Sequence, residues 1–169
     1  MMRMKTLVLG MGNPILCDDA VGIRLARALQ QEAEGIADVD YVVDCSVGGL
    51  NILDLVTGYD RLIVFDSIRG WGGPPGAWYA MTGENFRETM NLTNVHDANF
   101  TTALELGRQM GAHLPGPRDV HILAVEIVDN MTFSESMTPE LEAAYPALCV
   151  AVVREALALL HTPASPSAG

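Results

Sequence analysis

The chain has 169 residues, 49% of them hydrophobic, with 21 acidic against 10 basic side chains and a formal net charge of −11. This length favours one domain with a full core, and the apolar content excludes a disordered chain. The acidic balance argues against nucleic acid, whose phosphates need a basic footprint, and against anionic membrane surfaces.

Lys5 to Gly10 is a largely apolar run, as expected of a strand buried on both faces. The preceding Met1-Met2-Arg3-Met4 has the charge of a leader, but no small-residue cleavage site follows. From Asp19 the period becomes helical, with Val21, Leu25, Ala28 and Leu29 on one stripe and Asp18 as N-cap. Gly22 costs about 1 kcal/mol relative to alanine inside a helix, so close packing on the strand is expected there. Val39 to Val43 reads as a second strand ending at Asp44, and Leu50 to Val56 as a short helix. Arg61 to Phe65 is a third strand ending at Asp66. A glycine- and proline-rich loop spans Gly70 to Gly76, and Ala77 to Met81 reads as an edge strand. A polar loop around His96 precedes a helix over Asn99 to Met110. Val120 to Ile127 is a further strand. Thr138 as N-cap and Pro139 at the first helical position open a last helix to about Leu160.

Strands alternating with helices predict a three-layer αβα sandwich with a mostly parallel twisted sheet of about five strands. One domain is expected over 1–161, followed by a Pro/Ser/Ala-rich tail, 162–169, that frays. No uninterrupted apolar run approaches the roughly 20 residues of a membrane span. Cys17, Cys45 and Cys149 are odd in number and widely spaced, which fits reduced thiols in a cytoplasmic protein.

The segment Gly10-Met11-Gly12-Asn13-Pro14-Ile15-Leu16-Cys17-Asp18-Asp19 turns sharply and brings two acids to a helix start. Carboxylates there repel phosphate, and the third glycine of a dinucleotide fingerprint is missing. The place is suited to a cation, or to carboxylate chemistry on a neutral substrate. Asp19 and Asp66 each follow a strand, and in an open α/β sheet the strand ends share one edge where ligands bind. With His96 they make a sensible ligand set for a borderline divalent metal, or a set of acid/base groups. The plain alternatives are a first-turn acid for Asp19, a turn former for Asp66 and a solvated loop imidazole for His96. Asp44 has the same pattern as Asp66. Cys17 is either a soft ligand or, as its type favours, a small buried hydrophobe. Trp71, flanked by glycines, is the expected exposed anchor for a partner, and Trp78 the expected core residue.

The block Leu7-Val8-Leu9-Gly10-Met11-Gly12-Asn13-Pro14-Ile15-Leu16-Cys17-Asp18-Asp19-Ala20-Val21-Gly22 resembles the signature of the hydrogenase maturation endopeptidases. Leu62-Ile63-Val64-Phe65-Asp66-Ser67, the segment around His96, and Glu126-Ile127 through Met137-Thr138-Pro139 continue the resemblance in order. Ala20 stands where many relatives have glycine. The resemblance implies an endopeptidase that removes the C-terminal extension of a nickel–iron hydrogenase large-subunit precursor after nickel insertion. It implies that Asp19, Asp66 and His96 hold nickel contributed by the precursor, and that Asp19 and Asp66 serve catalysis. Metal-assisted and aspartic-type mechanisms both stay open. A monomer acting in the cytoplasm is expected, with no nucleic-acid or membrane partner. The alternative is a non-catalytic nickel- or partner-binding maturation factor with the same fold.

Overall fold

The computed structural model describes residues 3–46, 51–85 and 95–163, except for the side chains of 95–99. The expected tail, 162–169, lies outside the described residues from position 164 onward. The chain runs β1 (Thr6–Met11), a 3-10 turn (Cys17–Ala20), α1 (Val21–Glu32), β2 (Val39–Cys45), α2 (Ile52–Val56) and β3 (Arg61–Ile68). It continues with β4 (Trp78–Thr82), α3 (Val95–Gln109), a second 3-10 turn (Pro117–Asp119), β5 (Val120–Glu126) and α4 (Pro139–His161).

The five strands form one sheet in the order β2-β1-β3-β5-β4. β1, β2, β3 and β5 are mutually parallel where they pair, and β4 closes the edge antiparallel to β5. The expected mostly parallel sheet is thus what forms, with Ala77 to Met81 correctly read as an edge. Alternation along each strand divides the core into two layers. Leu7, Leu9, Leu62 and Val64 point to the face covered by α2 and α3. Val8, Ile63, Phe65 and Val125 point to the face covered by α1 and α4.

Strand order reverses between β1 and β3, so the crevice above their C-terminal ends is the topological switch point of the sheet. Close approach of α1 builds that crevice. A Cβ on Gly22 would lie 2.5 Å from the Phe65 carbonyl oxygen and 2.6 Å from that of Met11. Only glycine lets the helix start sit on both strands, which is the packing reason expected from its position.

α4 departs from the sequence expectation about membrane-length segments. Its 23 residues contain a window of mean hydropathy 1.7, long and apolar enough by length and composition to cross a bilayer. A search for an uninterrupted run overlooks it because charged residues punctuate the helix. In the fold Leu141, Leu148, Val152, Val153 and Ala156 bury one face of it against the sheet and α1. Arg61, at the start of β3, donates to the carbonyls of Leu159 and Thr162 and so satisfies the end of α4.

Candidate active site

The path from β1 into α1 is held by its own backbone. Gly12 has φ +141°, and a Cβ there would fall 2.1 Å from the Asp19 carbonyl oxygen. The chain therefore folds back so that Asp19 faces the loop it came from. Asp19 Oδ2 accepts from the Asn13 N–H at 2.9 Å, and its Oδ1 accepts from the Ser67 hydroxyl at 2.8 Å. Asp19 is only half-buried. A carboxylate offers about four lone-pair directions, so these two bonds aim the group and leave acceptor capacity for a ligand.

Asp18, the neighbouring acid, has a different task. It is fully buried (0% exposed). Its Oδ2 accepts from the N–H groups of Val128 and Asp129, both at 3.0 Å, and its Oδ1 from the Thr138 N–H at 2.7 Å. The Thr138 hydroxyl lies 3.0 and 2.9 Å from its two oxygens. Asp18 caps nothing in α1, whose N-cap is Ala20; Thr138 does take the N-cap position of α4 ahead of Pro139, but its hydroxyl goes to Asp18 and makes no capping bond. A buried carboxylate collects charge-assisted donors more strongly than a helix end would. Asp18 is thus a structural staple, and of the adjacent pair only Asp19 faces the crevice.

β3 continues two residues beyond Asp66, to Ile68, because Ser67 and Ile68 pair with Val125 and Glu126 of β5. Asp66 therefore sits inside the last turn of the pleat. Its Oδ1 accepts from the Ser67 N–H at 2.7 Å. Alternation puts Asp66 on the α2/α3 face with Val64 and Ile68, while Ser67 follows Phe65 on the α1/α4 face. Ser67 is the link between the two acids: its hydroxyl binds Asp19 and its N–H binds Asp66.

His96 was expected in a loop ahead of a helix starting at Asn99. The backbone is already helical from Val95, so residue 96 belongs to the first turn of α3. Its polar neighbours read as turn formers in the sequence, yet an acid such as Asp97 is equally at home near a helix N-terminus. The His96 side chain lies outside the described residues. α3 covers the same face of the sheet as Asp66.

Cys17 is buried (5% exposed), with its sulfur 3.8 Å from Asp18 Oδ1. Burial, and then the Asp18 charge, push its thiol above the usual range, which keeps it protonated and suits the small-hydrophobe reading. Asp44 is exposed on β2, across β1 from β3, and β2 runs past it to Cys45.

Glu126 is a site-edge residue given no role by the sequence reading. It ends β5 beside Ile68 and is 5% exposed. Its Oε1 accepts from the Trp71 N–H at 3.0 Å and its Oε2 lies 3.5 Å from the Tyr79 hydroxyl. Its backbone accepts from the Gly76 N–H and donates to the Ala77 carbonyl. Glu126 thereby clasps both ends of the glycine-rich loop. Trp71 on that loop is half-buried against the core, its ring 5.2 Å from that of Tyr79, and is no freely exposed anchor. Trp78 packs on the opposite core layer, as expected. The signal for Glu126 was one charge ending an otherwise apolar strand; for Ser67, a hydroxyl next to Asp66 at the strand exit.

The site is thus an open α/β sheet with Asp19 held at its switch point and tied through Ser67 to the strand that carries Asp66. The family model for hydrogenase maturation proteases matches residues 23–155, and the chain belongs to that family. The matched span includes Asp66 and His96 and begins just after Asp19. The hydrogenase 2 maturation protease of Escherichia coli strain K12 is 29% identical over 141 residues, 83% of each chain. The hydrogenase expression/formation protein HupD of Thiocapsa roseopersicina is 28% identical over 140 residues, 82% of this chain and 61% of that one. Among solved structures, the hydrogenase maturating endopeptidase HybD from Escherichia coli superposes with a TM-score of 0.67 at 27% identity, covering 90% and 94% of the two chains. Membership makes the chain an endopeptidase of hydrogenase maturation.

Proposed function

We propose that the chain removes the C-terminal extension of a nickel–iron hydrogenase large-subunit precursor once nickel is in place. It would act as a monomer in the cytoplasm, where its three free cysteines, Cys17, Cys45 and Cys149, stay reduced. The observation that carries the reading is Asp19, tethered by Asn13 and Ser67 at the switch point, with the Ser67 N–H bonding Asp66. In this reading nickel belongs to the substrate. Two carboxylates and an imidazole suit a borderline divalent ion, and Asp19 has oxygen capacity to spare. Asp19, Asp66 and His96 would recognise the loaded precursor and hold its tail against the sheet edge. In this reading one Asp carboxylate takes a proton from water as it adds to the scissile carbonyl and returns it to the leaving amine. The nickel, when present in the precursor, adds charge that favours the developing oxyanion.

The test is incubation with nickel-loaded and nickel-free large-subunit precursor, read by mass spectrometry. Release of one C-terminal fragment from the loaded form alone is expected. Asp19→Asn, Asp66→Asn and His96→Ala should each abolish or sharply reduce release with the fold intact. Normal trimming by the triple variant would overturn the assignment.

A further inference from the structure

Large apolar side chains left in water mark contact surfaces when they gather in one place. Among the described residues, Ile15 (46%), Val128 (39%), Met131 (76%) and Phe133 (78%) are exposed to the stated extents. All four belong to two loops at the C-terminal edge of the sheet, the Asn13–Leu16 turn and the segment after β5. The loops are joined as a short ladder. The Cys17 N–H donates to the Ser134 carbonyl at 3.0 Å, the Ser134 N–H to the Ile15 carbonyl at 2.9 Å, and the Asp18 N–H to the Asp129 carbonyl at 2.9 Å. The turn that projects Met131 and Phe133 is itself closed. Asp129 accepts from the Met131 N–H at 2.8 Å, the Thr132 N–H at 3.0 Å and the Thr132 hydroxyl at 2.6 Å. Arg69 Nη1 donates to Asn130 Oδ1 at 3.1 Å, which ties this rim to the start of the Trp71 loop.

Two features set these residues apart from stray surface hydrophobes. They are displayed by hydrogen-bonded backbone, so binding through them loses little conformational freedom. They also adjoin the Asp19 turn: Ile15 is four residues before Asp19, and the segment bearing Val128, Met131 and Phe133 is hydrogen-bonded to Ile15, Cys17 and Asp18 of that turn. The rim therefore flanks the turn at which, in the proposed function, the scissile bond is presented.

We infer that Ile15, Val128, Met131 and Phe133 form the docking surface for the protein substrate, receiving apolar side chains of the precursor next to its scissile bond. The inference rests on the proposed proteolysis. The rim supplies affinity and the carboxylates supply chemistry, so the two are separable in kinetics: loss of binding made equally in ground and transition states raises KM and spares kcat.

The experiment compares wild type, Met131→Ser/Phe133→Ser and the control Met110→Ser on the nickel-loaded precursor. Met110 is equally exposed (76%) but lies beyond the end of α3. The rim variant should show KM raised about tenfold or more with kcat within about twofold, and the control should match wild type. Photocrosslinking from benzoylphenylalanine in place of Phe133 should capture the precursor, which keeps the test valid if the double variant folds poorly. Wild type that fails to cleave would overturn the proteolytic reading itself. Wild type that cleaves, with an unchanged KM in the rim variant and no crosslink, would overturn the docking surface alone. A concentration-dependent dimer in sedimentation that the rim substitutions abolish, or rim-dependent co-sedimentation with phosphatidylglycerol vesicles, would reassign the surface and overturn it as well.

Discussion

The Ser67 hydroxyl donates to Asp19 across 2.8 Å while the Ser67 N–H donates to Asp66 across 2.7 Å. One residue thus bonds both carboxylates, Asp19 from the 3-10 turn before α1 and Asp66 from its own strand β3. Ser67→Ala should lower kcat on the loaded precursor about tenfold, since a hydrogen bond to a charged group contributes about 1.5–3 kcal/mol. Stability should change by less than about 1 kcal/mol, because the site is solvated enough for water to replace the hydroxyl. Denaturant titration alongside single-turnover cleavage separates the two effects; unchanged kcat would show that Asn13 alone aims Asp19.

Asp18→Asn should be far more disruptive to the fold than Asp19→Asn. An amide keeps one acceptor oxygen but turns an NH2 toward N–H groups that now bond the carboxylate. The expected loss is about 3 kcal/mol, or roughly 10 °C in melting temperature for a chain this size. Calorimetry checks this directly, and near-native melting would contradict the staple role.

Trp71→Ala should lower stability by about 1–2 kcal/mol, since the ring packs on Tyr79 and the core beneath it. Differential scanning fluorimetry of this variant beside Tyr79→Phe measures the loss. An unchanged melting temperature together with weakened precursor binding would return Trp71 to the role of an anchor.

Cys17 should resist iodoacetamide near neutral pH, because burial and the Asp18 charge raise its pKa and disfavour the thiolate. Cys17→Ser should retain most cleavage activity. Peptide mapping after a timed pulse reads the first outcome; rapid labelling at neutral pH would point to a reactive thiol in the crevice.

Acid should loosen the turn that displays Met131 and Phe133. The Thr132 hydroxyl and the N–H groups of Met131 and Thr132 lower the pKa of Asp129 below its ordinary 3.8. A depressed folded-state pKa stabilises the turn above the unfolded value and ceases to do so as pH falls through the folded one. Amide exchange at Met131 and Thr132, corrected for its intrinsic pH dependence, should therefore accelerate below about pH 3.8. Constant protection factors through that window would remove Asp129 from the account.

Much of this arrangement was legible in the sequence. Apolar runs at β1, β3 and β5 and the stripes of α1 and α4 are local signals, and they fixed the layered fold and its acidic edge. What stayed hidden depends on contacts between distant segments. Asp18 and Thr138 each carry a standard capping signature, and only the fold reveals that they bind one another. Ser67 and Glu126 look like ordinary strand-exit residues until pairing of β3 with β5 places them. The start of α3 at Val95 is hidden because polar residues around His96 suit a loop and a first helical turn alike.

The bonds of Asp18 span 110 to 120 residues of chain. During synthesis the turn bearing Asp19 is made early, but the groups that fasten it arrive only after Thr138 has left the ribosome. A nascent chain lacking its last helix carries the Asp19 turn without the Thr138 bonds that anchor its neighbour Asp18. Asp18 thus fastens one of the first turns to be made to one of the last segments, so closure of this edge of the fold waits for nearly the whole chain.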